Sequence, residues 1–222
     1  MSEPEILFEN KDYIVINKQA GLISEKSAFE AFTAENQVLH YLQKTKPKPF
    51  LGIIHRLDRV TSGVLIFAKK KSILVEFNEL FAHRKVQKTY LAIVENQPPN
   101  DQAILVDFMI KNNLEKKAEI VSKSSKNAVE CRLSYRLLDQ NDNGYLLEIK
   151  PTTGRFHQIR AQLAHVGSPI IGDVKYGAQQ AYLPLAICLH AWRLSYRNKN
   201  SKEIITYEAP LPKNNMWKNW NV

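Results

Sequence analysis

Four ionisable residues stand close together between two apolar runs of the sequence: His55, Arg56, Asp58 and Arg59. The runs 50–54 and 64–68 are typical of short buried strands, because β-branched and aromatic residues suit an enclosed, pleated surface. Charge between two core strands costs desolvation free energy unless it has a partner or a function. Flanking arginines favour an ionised Asp58 at neutral pH. The carboxylate is either aimed into a cleft for chemistry or part of a structural ion pair.

A second polar group accompanies a predicted helix after residue 151. Thr152 or Thr153 offers an N-cap. The predicted buried stripe of this helix consists of Phe156, Ile159, Leu163 and Val166. At about 100° per residue, Arg160 falls at the margin of that stripe. An arginine in such a position either extends to solvent or meets a partly buried anion.

The charge balance of the chain limits its partners. Its 222 residues suffice for one domain with a substantial core, or for a domain of two closely packed halves. Lysine and arginine number 31 against 22 acidic residues, a formal net charge of +9. This excess favours a polyanionic partner, most commonly nucleic acid. An anionic membrane surface and a merely solubilising charge are the alternatives.

The sequence contains no pattern that predicts a cofactor. Cys131 and Cys188 are far apart and show no metal-ligand spacing, which argues against a zinc site. No glycine-rich dinucleotide or phosphate loop is present, so we expect neither a metal nor a nucleotide cofactor. No apolar run is long enough to span a bilayer. Reduced thiols without a signal peptide predict a cytoplasmic protein.

Strands predominate among the predicted elements. They are predicted at 6–8, 13–16, 87–94, 103–108, 131–137, 145–149, 185–196 and 204–207. Helices are predicted at 36–45 and, with Ser72 as a cap, at 74–84. Residues 112–126 are largely polar and predict a loop-rich surface, and the tryptophans at 217 and 220 are either anchors or part of a tail. Many strands with hairpin turns and few helices indicate an α+β fold.

The stretch 55–63, His-Arg-Leu-Asp-Arg-Val-Thr-Ser-Gly, resembles the His-Arg-Leu-Asp-x-x-Thr-Ser-Gly signature of the RluA-type pseudouridine synthases. Residues 153–160 resemble the third motif of that family, and Lys88-x-Tyr90-x-Ala92 resembles the second. Residues 17–22 are similar to its Asn-Lys-Pro-x-Gly motif, with Gln19 in place of proline. The resemblance runs from about residue 6 to residue 210.

The resemblance implies an α+β fold whose long, mixed, mostly antiparallel sheet lies in two halves, with an active-site cleft across its middle. It implies a single catalytic domain over residues 1–222, without a preceding S4 domain. The implied activity converts a specific uridine of structured ribosomal or transfer RNA to pseudouridine. On the same resemblance, Asp58 is the catalytic carboxylate, Tyr90 stacks on the uracil and assists removal of the C5 proton, and Arg160 pairs with Asp58.

The resemblance also suggests which residues meet the RNA. Arg56 would take the space that the flipped uridine vacates. The further RNA-binding candidates are His55, Arg59, Thr61, Arg155 and His157. Asp58 would act by covalent attack or by proton removal at the sugar, and the sequence leaves both open. We expect a monomer that binds RNA and no membrane.

Two rival functions come from other classes. The first is a catalytically silent RNA-binding module, which the presence of Asp58, Tyr90 and Arg160 disfavours. The second is a hydrolase with paired carboxylates, which is disfavoured because no motif supplies a second acid near Asp58.

Overall fold

The computed structural model describes residues 3–30, 32–199 and 201–220, and these ranges contain three α-helices and eleven strands. The helices are α1 (Ala34–Gln43), α2 (Lys71–Ala82) and α3 (Gln158–His165). The strands are β1 (Glu5–Glu9), β2 (Tyr13–Lys18), β3 (Gly52–Ile53), β4 (Ser62–Ala68), β5 (Val86–Val94), β6 (Gln102–Asn112), β7 (Lys117–Val121), β8 (Val129–Asn141), β9 (Gly144–Pro151), β10 (Leu189–Arg197) and β11 (Ile204–Glu208). None of the helices in these ranges is long and apolar enough to cross a membrane.

The chain folds into two compact units. The first unit comprises Met1–Lys88 and His190–Leu211, and the second comprises Thr89–Leu189 and Pro212–Val222. Each unit contains its own set of paired strands.

In the first unit, strands β1, β2, β4 and β10 lie side by side, with β3 paired to β4 and β11 paired to β10. The pairs are antiparallel except for β4 with β10, which is parallel. The central strands β2 and β4 are buried along their whole length, as continuous apolar strands should be. Phe77 of α2 packs on this sheet, with its ring edge against Tyr13 and Tyr196.

In the second unit, the antiparallel order is β5, β9, β8, β6 and β7. Helix α3 packs on one face of this sheet. Ala161 of the helix shares a buried cluster with Met109, Ala118 and Cys131 from three strands, and with Tyr176. Because side chains alternate along a strand, Met109, Ala118 and Cys131 point to the face of the sheet that α3 covers.

The predicted α+β class with a mixed, mostly antiparallel sheet is confirmed. The prediction of a loop-rich surface at 112–126 is wrong for β7, whose residues 117–121 pair with the end of β6. The prediction failed because most side chains of this strand are polar or only half-buried: Ala118 faces the core, whereas its neighbours Lys117 and Glu119 are half-buried. Helix α2 begins at Lys71 with Lys70 as its N-cap, so Ser72 is not the cap.

Candidate active site

Asp58 lies in the irregular loop that joins β3 to β4. Its side chain is half-buried, and its carbonyl oxygen accepts a hydrogen bond of 3.1 Å from the amide of Thr61, which closes a tight turn. The predicted strand at 50–54 is shorter than expected, since only Gly52 and Ile53 pair with β4. Residues 54–61 therefore lie outside the paired strands, and contacts other than strand pairing determine the course of the main chain there.

The residues on both sides of Asp58 are held through their main chains. Ser24 donates its hydroxyl to the carbonyl oxygen of Leu57 at 2.9 Å and accepts the amide of Leu57 at 3.0 Å. The carbonyl oxygen of Arg59 accepts the amide of Gly21 at 2.8 Å. All four residues belong to the first unit. Because Gly21 and Ser24 follow β2 in the chain, the segment after β2 fixes the position of the loop that carries Asp58.

Lys18 is the least expected member of this arrangement. It ends the buried strand β2, is only 1% exposed, and donates its Nζ to the carbonyl oxygens of Gln19, Leu22 and Arg59 at 3.0, 2.8 and 3.3 Å. Burial lowers the pKa of Lys18 to about 7, while the negative charge of Asp58 acts in the opposite direction. The attraction is mutual, so a protonated Lys18 stabilises a carboxylate at Asp58.

The two arginines beside Asp58 point to the surface. Arg56 is exposed and its Nη1 lies 2.7 Å from a carboxylate oxygen of Glu25. Arg59 forms an ion pair with Glu30. Exposed pairs of this kind contribute about 0–1 kcal/mol and exchange easily, so both guanidinium groups remain available to phosphates.

His55 and Thr61 occupy more enclosed positions. The His55 ring stacks on Phe81 with centroids 5.2 Å apart, and its Nε2 accepts the amide of Ile66 at 3.3 Å. Burial, together with the nearby Lys88 ammonium, lowers the pKa of His55 to about 3, so the ring is neutral. The hydroxyl of Thr61 is buried and finds no hydrogen-bond partner among the described residues.

Behind the loop, Ser62 and Gly63 begin β4 against β10. The Ser62 hydroxyl and Nδ1 of the buried His190 lie 2.8 Å apart. Gly63 has φ of +115°, and a Cβ there would come within 2.2 Å of the carbonyl oxygen of Ala191. Only glycine permits this close approach.

In the second unit, Tyr90 is half-buried on β5, in register with Ile149 of β9. The strand places the ring on a defined face of the sheet. Lys88, two residues earlier on β5, belongs to the first unit, and burial lowers its pKa.

Arg160 is buried within α3, and this resolves the two sequence-based interpretations of its position. It is 5% exposed and does not extend to solvent. Its Nε and Nη2 each lie 2.7 Å from one carboxylate oxygen of Asp173, a two-pronged contact, and its guanidinium lies 5.0 Å from the Tyr176 ring centroid. The predicted contact with Asp58 stays a prediction.

The start of α3 differs from the prediction. The N-cap is His157 in the left-handed conformation, and neither Thr152 nor Thr153 caps the helix. The Thr153 hydroxyl instead meets the Gln158 side chain at 2.7 Å. Because the helix begins later, Phe156 lies outside it and is exposed rather than buried.

Two predicted RNA-binding residues flank Phe156. Arg155 is exposed, and its Nε donates to the carbonyl oxygen of Glu130 at 3.3 Å. His157 is half-buried, with Nδ1 3.0 Å from the Tyr176 hydroxyl.

Each unit thus brings part of the predicted set together. The first unit gathers its members on the loop after β3: His55, Arg56, Asp58, Arg59 and Thr61. The second unit places Arg155, His157 and Arg160 around the start of α3, with Tyr90 on β5. The sequence alone did not predict Lys18, Lys88 or Asp173 in the site, although a lysine at the end of a mostly apolar strand was a usable signal for Lys18.

The chemistry available is that of a fixed carboxylate. Asp58 is anchored by main-chain hydrogen bonds and lies within electrostatic range of a buried lysine, so it suits attack on carbon or proton transfer. Within the described ranges, no group of three or more histidine, cysteine or acidic side chains is arranged to hold a metal ion.

Comparison with known proteins gives a consistent result. The family model described as RNA pseudouridylate synthase matches residues 12–165. A ribosomal large subunit pseudouridine synthase C of Pasteurella multocida is 32% identical over 216 residues, which cover 94% of this chain and 65% of the relative. The chain therefore spans slightly less than two thirds of that relative's length. A tRNA pseudouridine synthase C of Vibrio parahaemolyticus is 32% identical over 79% of this chain and 74% of its own.

The fold has solved counterparts. The human RNA pseudouridylate synthase domain containing 4 superposes with a TM-score of 0.78 at 24% identity, over 94% of this chain and 89% of the human one. The human domain containing 1 gives a TM-score of 0.76, with 95% and 84% covered. At this level of identity, the likeness establishes the fold.

Proposed function

Because the chain belongs to the RNA pseudouridylate synthase family, we propose that it converts a specific uridine of structured RNA to pseudouridine, with Asp58 as the catalytic carboxylate. The observation that carries the proposal is the anchoring of Asp58. Ser24 and Gly21 hold the peptides on either side of it, and Lys18 lies within electrostatic range of its charge. A fixed reactive group lowers the entropic cost of reaching the transition state.

The reaction rearranges one nucleotide without an external reactant. The N1–C1′ bond breaks, the uracil turns, C5 bonds to C1′, and the C5 proton leaves while N1 gains one. No atom is oxidised or reduced, so the chemistry requires neither a redox cofactor nor an energy source. Asp58 would attack the nucleotide covalently or remove a proton from the ribose, and both routes use the ionised form.

Tyr90 and Arg160 are the proposed partners of Asp58. The Tyr90 ring would stack on the displaced uracil, with its hydroxyl near C5. Arg160 would orient the Asp58 carboxylate, and the buried contact with Asp173 would keep its guanidinium from turning away. We propose these roles from the family resemblance and the local contacts.

The proposed substrate is ribosomal or transfer RNA, the classes that the names of the relatives specify. The net charge of +9 suits a polyanion, and binding should weaken steeply with salt. Arg56, Arg59 and Arg155 are the arginines placed for phosphates or for the space left by the flipped base. We propose that residues 1–222 act as one catalytic domain and as a monomer, without metal or nucleotide cofactor.

Tritium release tests the activity. Ribosomal and transfer RNA transcripts carrying tritium at C5 of uridine lose it to water when C5 bonds to C1′. The wild type should release it in metal-free buffer with prefolded RNA, and Asp58→Asn should bind RNA without release. Asp12→Asn, which alters a surface pair with Lys70 in the same unit, is the matched control and should behave as wild type.

Three outcomes would count against the proposal. Release by Asp58→Asn at the wild-type rate would remove Asp58 from catalysis. Binding without release by the wild type, on both RNA classes, would favour the silent RNA-binding module. Activity that appears only after a divalent metal is added to prefolded RNA would contradict the cofactor-free reaction. Mapping pseudouridines in cells with and without the protein would then identify the target.

A further inference from the structure

Phe156 is an aromatic residue that the fold leaves at the surface. Its side chain is 39% exposed, although helical periodicity predicts it to be buried. It precedes α3, so it contributes nothing to the stripe that α3 packs on the sheet. The exposed ring is therefore a candidate surface for stacking with an aromatic ligand.

The Phe156 ring is held in one orientation. It stacks on the His157 ring with centroids 3.8 Å apart and planes 18° apart. His157 is itself fixed, because its Nδ1 lies 3.0 Å from the Tyr176 hydroxyl, which also accepts the amide of Ala118 at 2.7 Å. Burial and the nearby cations lower the pKa of His157 to about 3, so the stack consists of two neutral rings at physiological pH. A flat surface fixed in this way loses little entropy when a ligand stacks on it.

Cations surround the stack. Nζ of Lys111 lies 5.0 Å from the Phe156 ring centroid, and Nζ of Lys117 lies 5.2 Å from that of Tyr176. Lys175 donates its ammonium to the carbonyl oxygens of Glu115 and Lys116. Among the described residues, none of these three lysines forms a salt bridge with a carboxylate. Within the described part of the chain, these ammonium groups therefore need not break an ion pair to reach a phosphate.

We propose that the stacked rings of Phe156 and His157 form a platform for a nucleobase of the RNA other than the target uridine, with Lys111 and Lys175 at the adjacent phosphates. The inference rests on the proposed function, since it names a further contact with the same RNA. The Phe156 ring has no group that can donate or accept a proton, so a base stacked on it makes a binding contact and is not the reacting one. Aromatic rings flanked by cations are the arrangement by which proteins hold single-stranded RNA.

Lys111 has a defined part in this contact. Its ammonium touches the Phe156 ring in the absence of RNA, and its flexible stem allows it to move to a phosphate when a base stacks on the ring. Replacement by alanine should therefore weaken binding through charge, whereas changes at Phe156 should act through stacking.

The experiment compares two probes of equal phosphate number: a fluorescein-labelled 12-nucleotide oligouridine and the same oligomer with every base removed. Phe156→Ala should weaken binding of the oligouridine roughly 5- to 150-fold and leave the abasic probe unchanged. Phe156→Trp should retain wild-type binding of both. Ile104→Ala, a truncation of an equally apolar and 65% exposed residue of the same unit, should change neither. Lys111→Ala should weaken both probes and reduce the salt dependence.

The inference is overturned if Phe156→Ala binds the oligouridine like the wild type, or if it weakens both probes equally, which would indicate local misfolding. Failure of the wild type to bind the oligouridine at all would also overturn it. The two proposals fail separately. Absence of tritium release with a preserved Phe156 effect would refute only the isomerase activity, whereas intact release with no Phe156 effect would refute only the platform.

Discussion

Replacing Asp173 by asparagine should destabilise the protein far more than neutralising a charge in one of the exposed ion pairs. Asp173 is 1% exposed and is the carboxylate in the two-pronged contact with Arg160. Its backbone also organises the turn after α3, since its carbonyl oxygen accepts the amides of Tyr176 and Ala178. Asparagine keeps the shape of the side chain and the backbone contacts, so the variant removes the negative charge and one of the two oxygen acceptors that face Arg160.

The size of the effect follows from burial. Asparagine at 173 takes away the carboxylate charge that the buried Arg160 guanidinium contacts through two hydrogen bonds, and breaking a buried pair in this way costs roughly 3–5 kcal/mol. A protein of this kind has an unfolding free energy of about 5–15 kcal/mol, so Asp173→Asn should lose a large share of it. The matched control is Glu208→Gln, which removes the partner of Arg193 in an exposed pair whose atoms lie 2.6 Å apart. That change should cost at most about 1 kcal/mol.

Urea denaturation followed by tryptophan fluorescence measures both values at pH 7. A double variant, Arg160→Met with Asp173→Leu, should recover most of the stability because two apolar side chains of similar volume need no partner. It should not recover tritium release, if Arg160 acts on Asp58 as proposed. An Asp173→Asn variant within 1 kcal/mol of the wild type would refute the reasoning, because Arg160 would then be stable without this carboxylate.

Three further predictions concern the proposed active site. The pKa of Lys18 in the fold is about 7, below its ordinary 10.5, so between these pH values the unfolded chain binds a proton that the folded chain does not. The unfolding free energy of the wild type, relative to that of Lys18→Met, should therefore rise with pH through this window. Equal differences between the two proteins in urea titrations at pH 6.5 and pH 9.5 would contradict this prediction. Tyr90→Phe should keep RNA affinity and lower the rate of tritium release, and a wild-type rate would leave Tyr90 as a stacking surface only. Arg160→Lys should slow single-turnover release on the order of a hundredfold with little change in RNA binding, and near-normal rates in both Arg160→Lys and Arg160→Ala would exclude the contact with Asp58.

Much of the fold could be predicted from local patterns. From Val64 to Ala68, strand β4 is a continuous apolar run, and the whole strand is buried. The turn at 141–144 joins β8 to β9 as its asparagine and glycine content predicts. The tryptophans at 217 and 220 are both buried, so they are anchors rather than a free tail. The apolar strand and the turn depend on neighbours in sequence, which therefore specifies them, whereas the sequence left the place of the tryptophans open.

Features that depend on distant partners were predicted less well. Thr153 has the side chain of an N-cap, but its hydroxyl is engaged by Gln158 and by the main chain of Arg132 on β8. The helix consequently starts at Gln158, after a left-handed His157. The helix propensity of one residue cannot reveal that a strand residue 21 positions earlier competes for the same hydroxyl.

Dependence on distant partners also explains why the sequence did not reveal the burial of Lys18 and Arg160 in the candidate site. Lysine and arginine are expected to keep their charge in water, so sequence reasoning places Lys18 at the surface by default and leaves Arg160 open between solvent and a partly buried anion. The fold buries both, and each burial is made tolerable by groups that only the folded chain brings together: three main-chain oxygens for Lys18 and the carboxylate of Asp173 for Arg160. Burying each of these charged side chains costs desolvation free energy that burying an apolar side chain would not. In the first unit, the buried ammonium bonds the main chain of the loop that holds Asp58. We therefore attribute the burial of Lys18 to placement of the carboxylate rather than to stability, and the pH-dependent comparison with Lys18→Met measures what that burial costs in free energy of unfolding.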